Sequence, residues 1–327
     1  MKIVYMGTPD FAVEPLEALI GAGHTVTAVV TQPDKAKGRS KKLIETPVKT
    51  CALKHGIPVF QPERIKRPEA VEILKSYEAD VYVVAAFGQI LSQEILDLPK
   101  YGSLCIHASL LPAYRGAAPI NWAILNGEKQ TGITIMQMDA GIDTGDMLAK
   151  AAVDIEEDDT DESLFDKLAK VGSSLIVETL EKLEKGQIVP EKQDDAKSCY
   201  ASMLNKAMGE IDWSCSADMI GRKVRGLYSW PGAYTSYQGK TLKIWKAKAT
   251  ASETGADNGA QAANGATQAA NDAKAPGTVV AVTKDSILVA AGEGNLKLLE
   301  VQLEGKKRMA VKDFLLGCKV GEGEKLG

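Results

Sequence analysis

A chain of 327 residues, 45% of them hydrophobic, is long enough for two cores at roughly 100–200 residues per domain. It contains no run of about 20 apolar residues, and Met1 opens directly onto Lys2-Ile3-Val4-Tyr5-Met6, so neither secretion nor membrane insertion is expected and the location expected is cytoplasmic. The net charge of −4 does not by itself suggest a polyanionic partner, and the five cysteines, odd in number and never spaced C-x-x-C, speak against a disulfide framework or a zinc site.

In chain order, β-type runs at 2–6, 25–31, 59–60, 80–85, 103–106 and 132–138 alternate with helix-patterned stretches such as 11–20. This rhythm predicts βαβ units. Val26-Thr27-Ala28-Val29-Val30 and Val81-Tyr82-Val83-Val84 are nearly continuous apolar runs, as expected of strands covered on both faces. The fold class predicted is therefore α/β, a doubly wound, Rossmann-like parallel sheet. Residues 162–185 carry Leu164, Leu168, Val171, Leu175, Ile176, Leu180 and Leu183 at helical spacing, with Gly186 to stop the helix. That helix closes a first domain at 1–186, and the polar stretch 187–207 reads as a linker.

From 208 to 327 the pattern changes to a helical start at 217–225 and short β-type runs at 233–237, 241–246, 278–282, 287–290 and 296–301. Evenly spaced short strands predict a small, OB-like β-barrel. Sixteen Lys and Arg stand there against 13 Asp and Glu, whereas the first part has 23 against 30. The two parts are thus oppositely charged, which suggests a division of labour. Residues 249–275 hold no aromatic and no β-branched apolar residue and are expected to be a disordered insert.

Two clusters carry candidate chemistry. Cys105-Ile106-His107-Ala108-Ser109-Leu110-Leu111-Pro112 ends an apolar strand, the place where open α/β sheets put reacting ligands. His107 is one of only three histidines; the bland alternative is a satisfied histidine at a strand end. The second cluster, Asp139-Ala140-Gly141-Ile142-Asp143-Thr144-Gly145-Asp146, follows another apolar strand. It reads as a tight acidic loop or a solvated turn, and no histidine spacing nearby supports a metal. After the first strand, Met6-Gly7-Thr8-Pro9-Asp10 lacks the G-x-G-x-x-G spacing of a dinucleotide site. The run Lys35-Ala36-Lys37-Gly38-Arg39-Ser40-Lys41-Lys42 is either a solvated charged loop or a grip for a phosphate backbone.

His107 through Pro112 together with Asp143 resemble the signature of the 10-formyltetrahydrofolate-dependent formyltransferases. Met6 to Ala12, Thr31 to Asp34, Arg115 to Ile120 and Trp230 to Tyr234 are similar to the branch of that family whose acceptor is methionyl-tRNA. The likeness runs from Met1 to about Phe314, apart from the insert. It implies formyl transfer to the amino group of initiator methionyl-tRNA, with 10-formyltetrahydrofolate as co-substrate, no metal, and a monomeric enzyme. By the same resemblance His107 assists proton transfer and Asp143 supports the imidazole. Ser109, Leu110, Leu111 and Pro112, with Phe87, Gly88, Gln89, Ile90, Leu91 and Asp139, bind the folate. Lys35, Lys37, Arg39, Lys41 and Lys42 meet the tRNA, and the 208–327 domain joins them. One position departs from the family pattern: Cys105 stands where an asparagine amide is expected to donate to the formyl oxygen, and a thiol is a weak donor. The alternatives left open are a formyltransferase acting on an amino sugar or purine precursor, a catalytically weakened folate- or tRNA-binding homologue, and a nucleophilic Cys105.

Overall fold

The structure, a computed structural model, describes residues 1–37, 42–250 and 274–327. It divides into two compact units: 1–123, 128–157 and 163–203 form the first, and 124–127, 158–162 and 204–327 form the second.

In the first unit, β1 (Lys2–Gly7), α1 (Val13–Gly21), β2 (Thr25–Val30), β3 (Lys35–Lys37), β4 (Lys42–Ile44), α2 (Pro47–Lys54), β5 (Val59–Phe60) and α3 (Pro68–Lys75) come first along the chain. They are followed by β6 (Val81–Ala85), α4 (Gln93–Leu96), β7 (Ser103–His107), β8 (Arg115–Gly116), α5 (Pro119–Asn126), β9 (Gln130–Gln137), β10 (Met147–Asp154) and α6 (Asp161–Glu184). Seven strands pair in the order β10-β9-β7-β6-β1-β2-β5. Five are parallel, and β9 and β10 add an antiparallel edge, a common addition to doubly wound sheets. From β1 the chain moves outward to β2 and β5 and returns on the other side at β6, so the strand order reverses between β1 and β6. β1 and β6 are buried along nearly their whole length. Val4, Met6, Ala28, Val30, Tyr82 and Val84 pack one face against Val71, Leu74, Ile95 and Leu96.

The stretch read as a linker is largely built into this unit. Glu191 bridges to Met147, and β11 (Tyr200–Ala201) runs parallel to β8. The sequence gives little sign of either, because two-residue pairings between segments some 85 residues apart leave no periodicity. The basic stretch is not simply a loop: β3 and β4 pair as the arms of a hairpin. Arg39 and Lys41 lie outside the described residues.

In the second unit, α7 (Ala217–Gly226) precedes β12 (Ala233–Tyr237), β13 (Lys240–Thr250), β14 (Val279–Val282), β15 (Ile287–Ala290), β16 (Asn295–Leu303), β17 (Met309–Ala310) and α8 (Val311–Gly317). The strands form one antiparallel sheet, β12-β13-β16-β15-β14, with β17 on β16. Register shifts in β13 on either side of Lys246, and in β14, mark bulges that bend a sheet toward a barrel. The strands and helices of this unit together bury a cluster that includes Trp213, Ile220, Val224, Leu242, Ile244, Leu296, Leu298 and Phe314. Ala249 and Thr250, read as the start of the insert, instead end β13, paired with Leu296 and Asn295; 251–273 lie outside the described residues.

Candidate active site

A cavity of about 510 Å³ opens in the first unit. Its walls come from Pro9 just after β1, from Ala86 to Gln89 just after β6, and from Cys105 to Ala108 at the end of β7. These are the carboxyl ends of the strands flanking the order reversal, where a doubly wound sheet leaves a crevice. Phe11, Val84, Phe87, Ile106, Ile120 and Phe165 make the walls largely apolar, and His107 and Asp143 face each other among them.

His107 is 6% exposed. Its Nε2 lies 2.9 Å from the carbonyl oxygen of Tyr114. A carbonyl can only accept, so Nε2 carries the hydrogen and donates it. Nδ1 is then the nitrogen left for proton exchange, 3.6 Å from Asp143 Oδ2. Asp143 sits at φ +54°, a left-handed conformation that Asp tolerates better than most residues. Its Oδ2 accepts from the Gly116 amide at 2.8 Å. Gly116 itself adopts φ +113°, and a Cβ there would stand 2.7 Å from the Ala201 carbonyl and the Tyr200 ring, so only glycine delivers that amide.

The acidic loop is held from behind by a strap that motif reading missed. Gln193 donates through Nε2 to the carbonyls of both Asp143 and Gly145, at 2.8 Å each. Its Oε1 accepts from Arg115 Nε at 2.9 Å, and Arg115 also bonds Asp195 at 2.8 Å. Asp139 does not line the cavity. It is exposed, and its Oδ1 accepts from Gly141 N and from Thr144 Oγ1, closing the turn.

Ser109, Leu110, Leu111 and Pro112 are not among the cavity walls either. The Ser109 hydroxyl donates to the Ala113 carbonyl at 2.6 Å, and Leu111 packs with Cys105, Met136 and Met147. Thr134, which the motif gave no reason to single out, braces the segment. On β9 opposite His107, its hydroxyl accepts from Leu111 N at 3.0 Å and donates to the Ser109 carbonyl at 2.7 Å. Of the run 87–91, Phe87, Gly88 and Gln89 line the cavity. Ile90 is 63% exposed and Leu91 belongs to the core. The Gln89 amide is occupied by Ile65 N and the Pro62 carbonyl.

Cys105 lines the cavity and is 9% exposed. Burial, and then the charge of Asp143, push its thiol well above the usual range. A nucleophile needs the thiolate, and both causes favour the neutral S–H at Cys105 over a thiolate.

Lys35 borders a separate hollow of about 240 Å³ with Thr8, Gln32, Ile44, Glu45 and Thr46. In the second unit, Arg308 stacks on Tyr228 and Trp245 with centroid distances of 5.1 and 4.7 Å, and Lys243 lies 5.7 Å from the Trp245 ring. Glu300 anchors Arg308 through paired hydrogen bonds.

Residues 1–180 match the family model described as formyl transferase, and 203–319 match that of the formyl transferase C-terminal domain. The methionyl-tRNA formyltransferase of Geobacter metallireducens is 50% identical over 327 residues, covering 100% of this chain and 99% of that protein. That of Agathobacter rectalis is 49% identical over 323 residues, covering 99% and 98%. The chain belongs to the methionyl-tRNA formyltransferase family. Among solved structures, the sugar 3N-formyl transferase WlaRD shares the formyltransferase fold, with a TM-score of 0.64 at 20% identity over 94% of this chain and 99% of that one. The crevice that holds His107 and Asp143 in this formyltransferase falls within the N-terminal family match.

Proposed function

We propose that this enzyme transfers the formyl group of 10-formyltetrahydrofolate to the amino group of methionyl-initiator tRNA. The observation that carries the reading is the His107–Asp143 pair, buried in an apolar-walled cavity at the carboxyl ends of β1, β6 and β7. A flat heterocycle suits walls made by Phe11, Phe87 and Phe165 with Val84 and Ile106. Amine attack on a formyl carbon makes a tetrahedral centre whose nitrogen must lose a proton. Nδ1 of His107 takes it, while Nε2 stays on the Tyr114 carbonyl. The imidazolium so formed carries its new N–H beside the Asp143 carboxylate, 3.6 Å away, which the Gly116 amide and the Gln193 strap keep in place. Water is kept from the reacting centre by the apolar walls.

The folate contacts fall to Phe87, Gly88 and Gln89; Ser109 to Pro112 shape the crevice from behind. The acceptor RNA meets the basic stretch of Lys35, Lys37, Arg39, Lys41 and Lys42, of which Lys35, Lys37 and Lys42 lie on β3 and β4. The aromatic and cationic face of Tyr228, Lys243, Trp245 and Arg308 stacks or pairs with RNA in the second unit. The reading carries with it a monomeric, cytosolic enzyme.

Incubation with 10-formyltetrahydrofolate and charged initiator tRNA should yield formyl-methionyl-tRNA, and raising salt should weaken RNA binding. Replacing Lys41 and Lys42 with Gln should flatten that salt dependence by roughly two phosphate contacts. Absence of formyl-methionine in this assay, or transfer to an amino sugar instead, overturns the assignment.

A further inference from the structure

Away from the cavity, three side chains from two helices converge. Glu17 lies on α1, Cys51 on α2, and His55 at the C-terminal end of α2. Cys51 and His55, four residues apart, share one helix face. Cys51 Sγ lies 3.2 Å from Glu17 Oε1, and His55 Nε2 lies 2.8 Å from Glu17 Oε2. Taking one ligand atom from each residue, all lie within 4.8 Å of one another. With bonds of about 2.0 Å to nitrogen or oxygen and 2.3 Å to sulfur, neighbouring donors of a tetrahedral shell stand roughly 3–4 Å apart. The contacts to Glu17 already fall near that range, and the side chains need draw in by only about 1 Å to close on an ion. Cys51 is 3% exposed, whereas the His55 and Glu17 side chains are 35% and 46% exposed. The cluster thus has a closed floor and an open mouth through which an ion can enter.

We propose that Glu17, Cys51 and His55 bind one divalent transition-metal ion, with zinc the ion best suited to the donors. One sulfur, one imidazole nitrogen and one carboxylate oxygen form a borderline-soft set; magnesium and calcium favour oxygen alone. On binding, the ion replaces the two hydrogens that now point at Glu17. The thiol proton leaves to solvent, the hydrogen on His55 Nε2 also leaves to solvent while Nδ1 carries the one that keeps the ring neutral, and water fills the fourth position. Thiolate and carboxylate cancel the charge of the ion. Linear spacing hides the site, because Glu17 is 34 residues from Cys51 and a Cys four residues before a His is not a C-x-x-C pattern. The bound ion ties α1 to α2, and α1 follows directly on the segment of Pro9 and Phe11 that lines the cavity.

Cobalt(II) titrated into the metal-stripped full-length protein should give a thiolate-to-metal charge-transfer band that saturates at one equivalent. Zinc should bleach it and shield Cys51 from iodoacetamide. Cys51→Ala should remove the band, and His55→Gln, at a partly exposed position, should weaken binding by at least about tenfold. Cys199→Ser should leave it intact. No band at one equivalent, a band that survives Cys51→Ala, or one lost in Cys199→Ser would each overturn the proposal. All of these readouts are independent of formyl transfer.

Discussion

The imidazole of His107 is tautomerically fixed by a backbone carbonyl, not by the carboxylate beside it. His107→Ala should lower kcat by on the order of 10² to 10⁴ with a smaller change in KM. Asp143→Asn can still accept from the Gly116 amide but carries no charge, so its fall in kcat, measured beside that of His107→Ala, isolates the electrostatic part. Cys105 presents a weak donor where an amide is expected to meet the developing oxyanion. Cys105→Asn should therefore raise kcat, by up to on the order of 10² or about 2.7 kcal/mol; unchanged turnover would mean that other donors serve that oxygen. Burial and the charge of Asp143 push the Cys105 thiol up and so disfavour its thiolate. Alkylation followed by peptide mapping should thus find exposed Cys199 modified long before Cys105.

Thr134 shows how an element supports the site. Thr134→Val leaves the buried Leu111 N–H and the Ser109 carbonyl without their partner. It should cost about 2 kcal/mol in urea unfolding and lower turnover by loosening the segment that carries His107. In the first unit the runs read as strands match β1, β2, β5, β6, β7 and β9, and the ends of β1, β6 and β7 carry most of the crevice. β10 escaped because Met-Leu-Ala-Lys-Ala-Ala-Val-Asp has little β propensity, and pairing with β9 holds it in place. His107 and Asp143 were legible as a pair through the resemblance of their two motifs to the formyltransferase signature. The walls made by Ala86 and Phe165 were not, since residues brought together by topology from distant segments carry no linear pattern.

At the scale of the whole chain, the ends flanking the 251–273 segment are anchored within the second unit. Thr250 donates to the Asn295 carbonyl at 3.2 Å, and Lys274 to that of Val280 at 3.2 Å. Replacing residues 253–271 by a short Gly-Ser linker should leave the unfolding midpoint within a few degrees, because loop closure changes by only about 0.6 kcal/mol per doubling of length. A loss of several kcal/mol would assign the segment a packing role. The Gln193 strap bears on how such enzymes can be recombined. A chimera that joins a foreign C-terminal module at Gly186, just past the end of the long helix, discards Gln193 and Asp195, and with them the amide that donates to the Asp143 and Gly145 carbonyls and both partners of Arg115. A junction after Met203 keeps them. The crossover point for exchanging modules is set by what holds the loop of Asp143, not by where the helix ends.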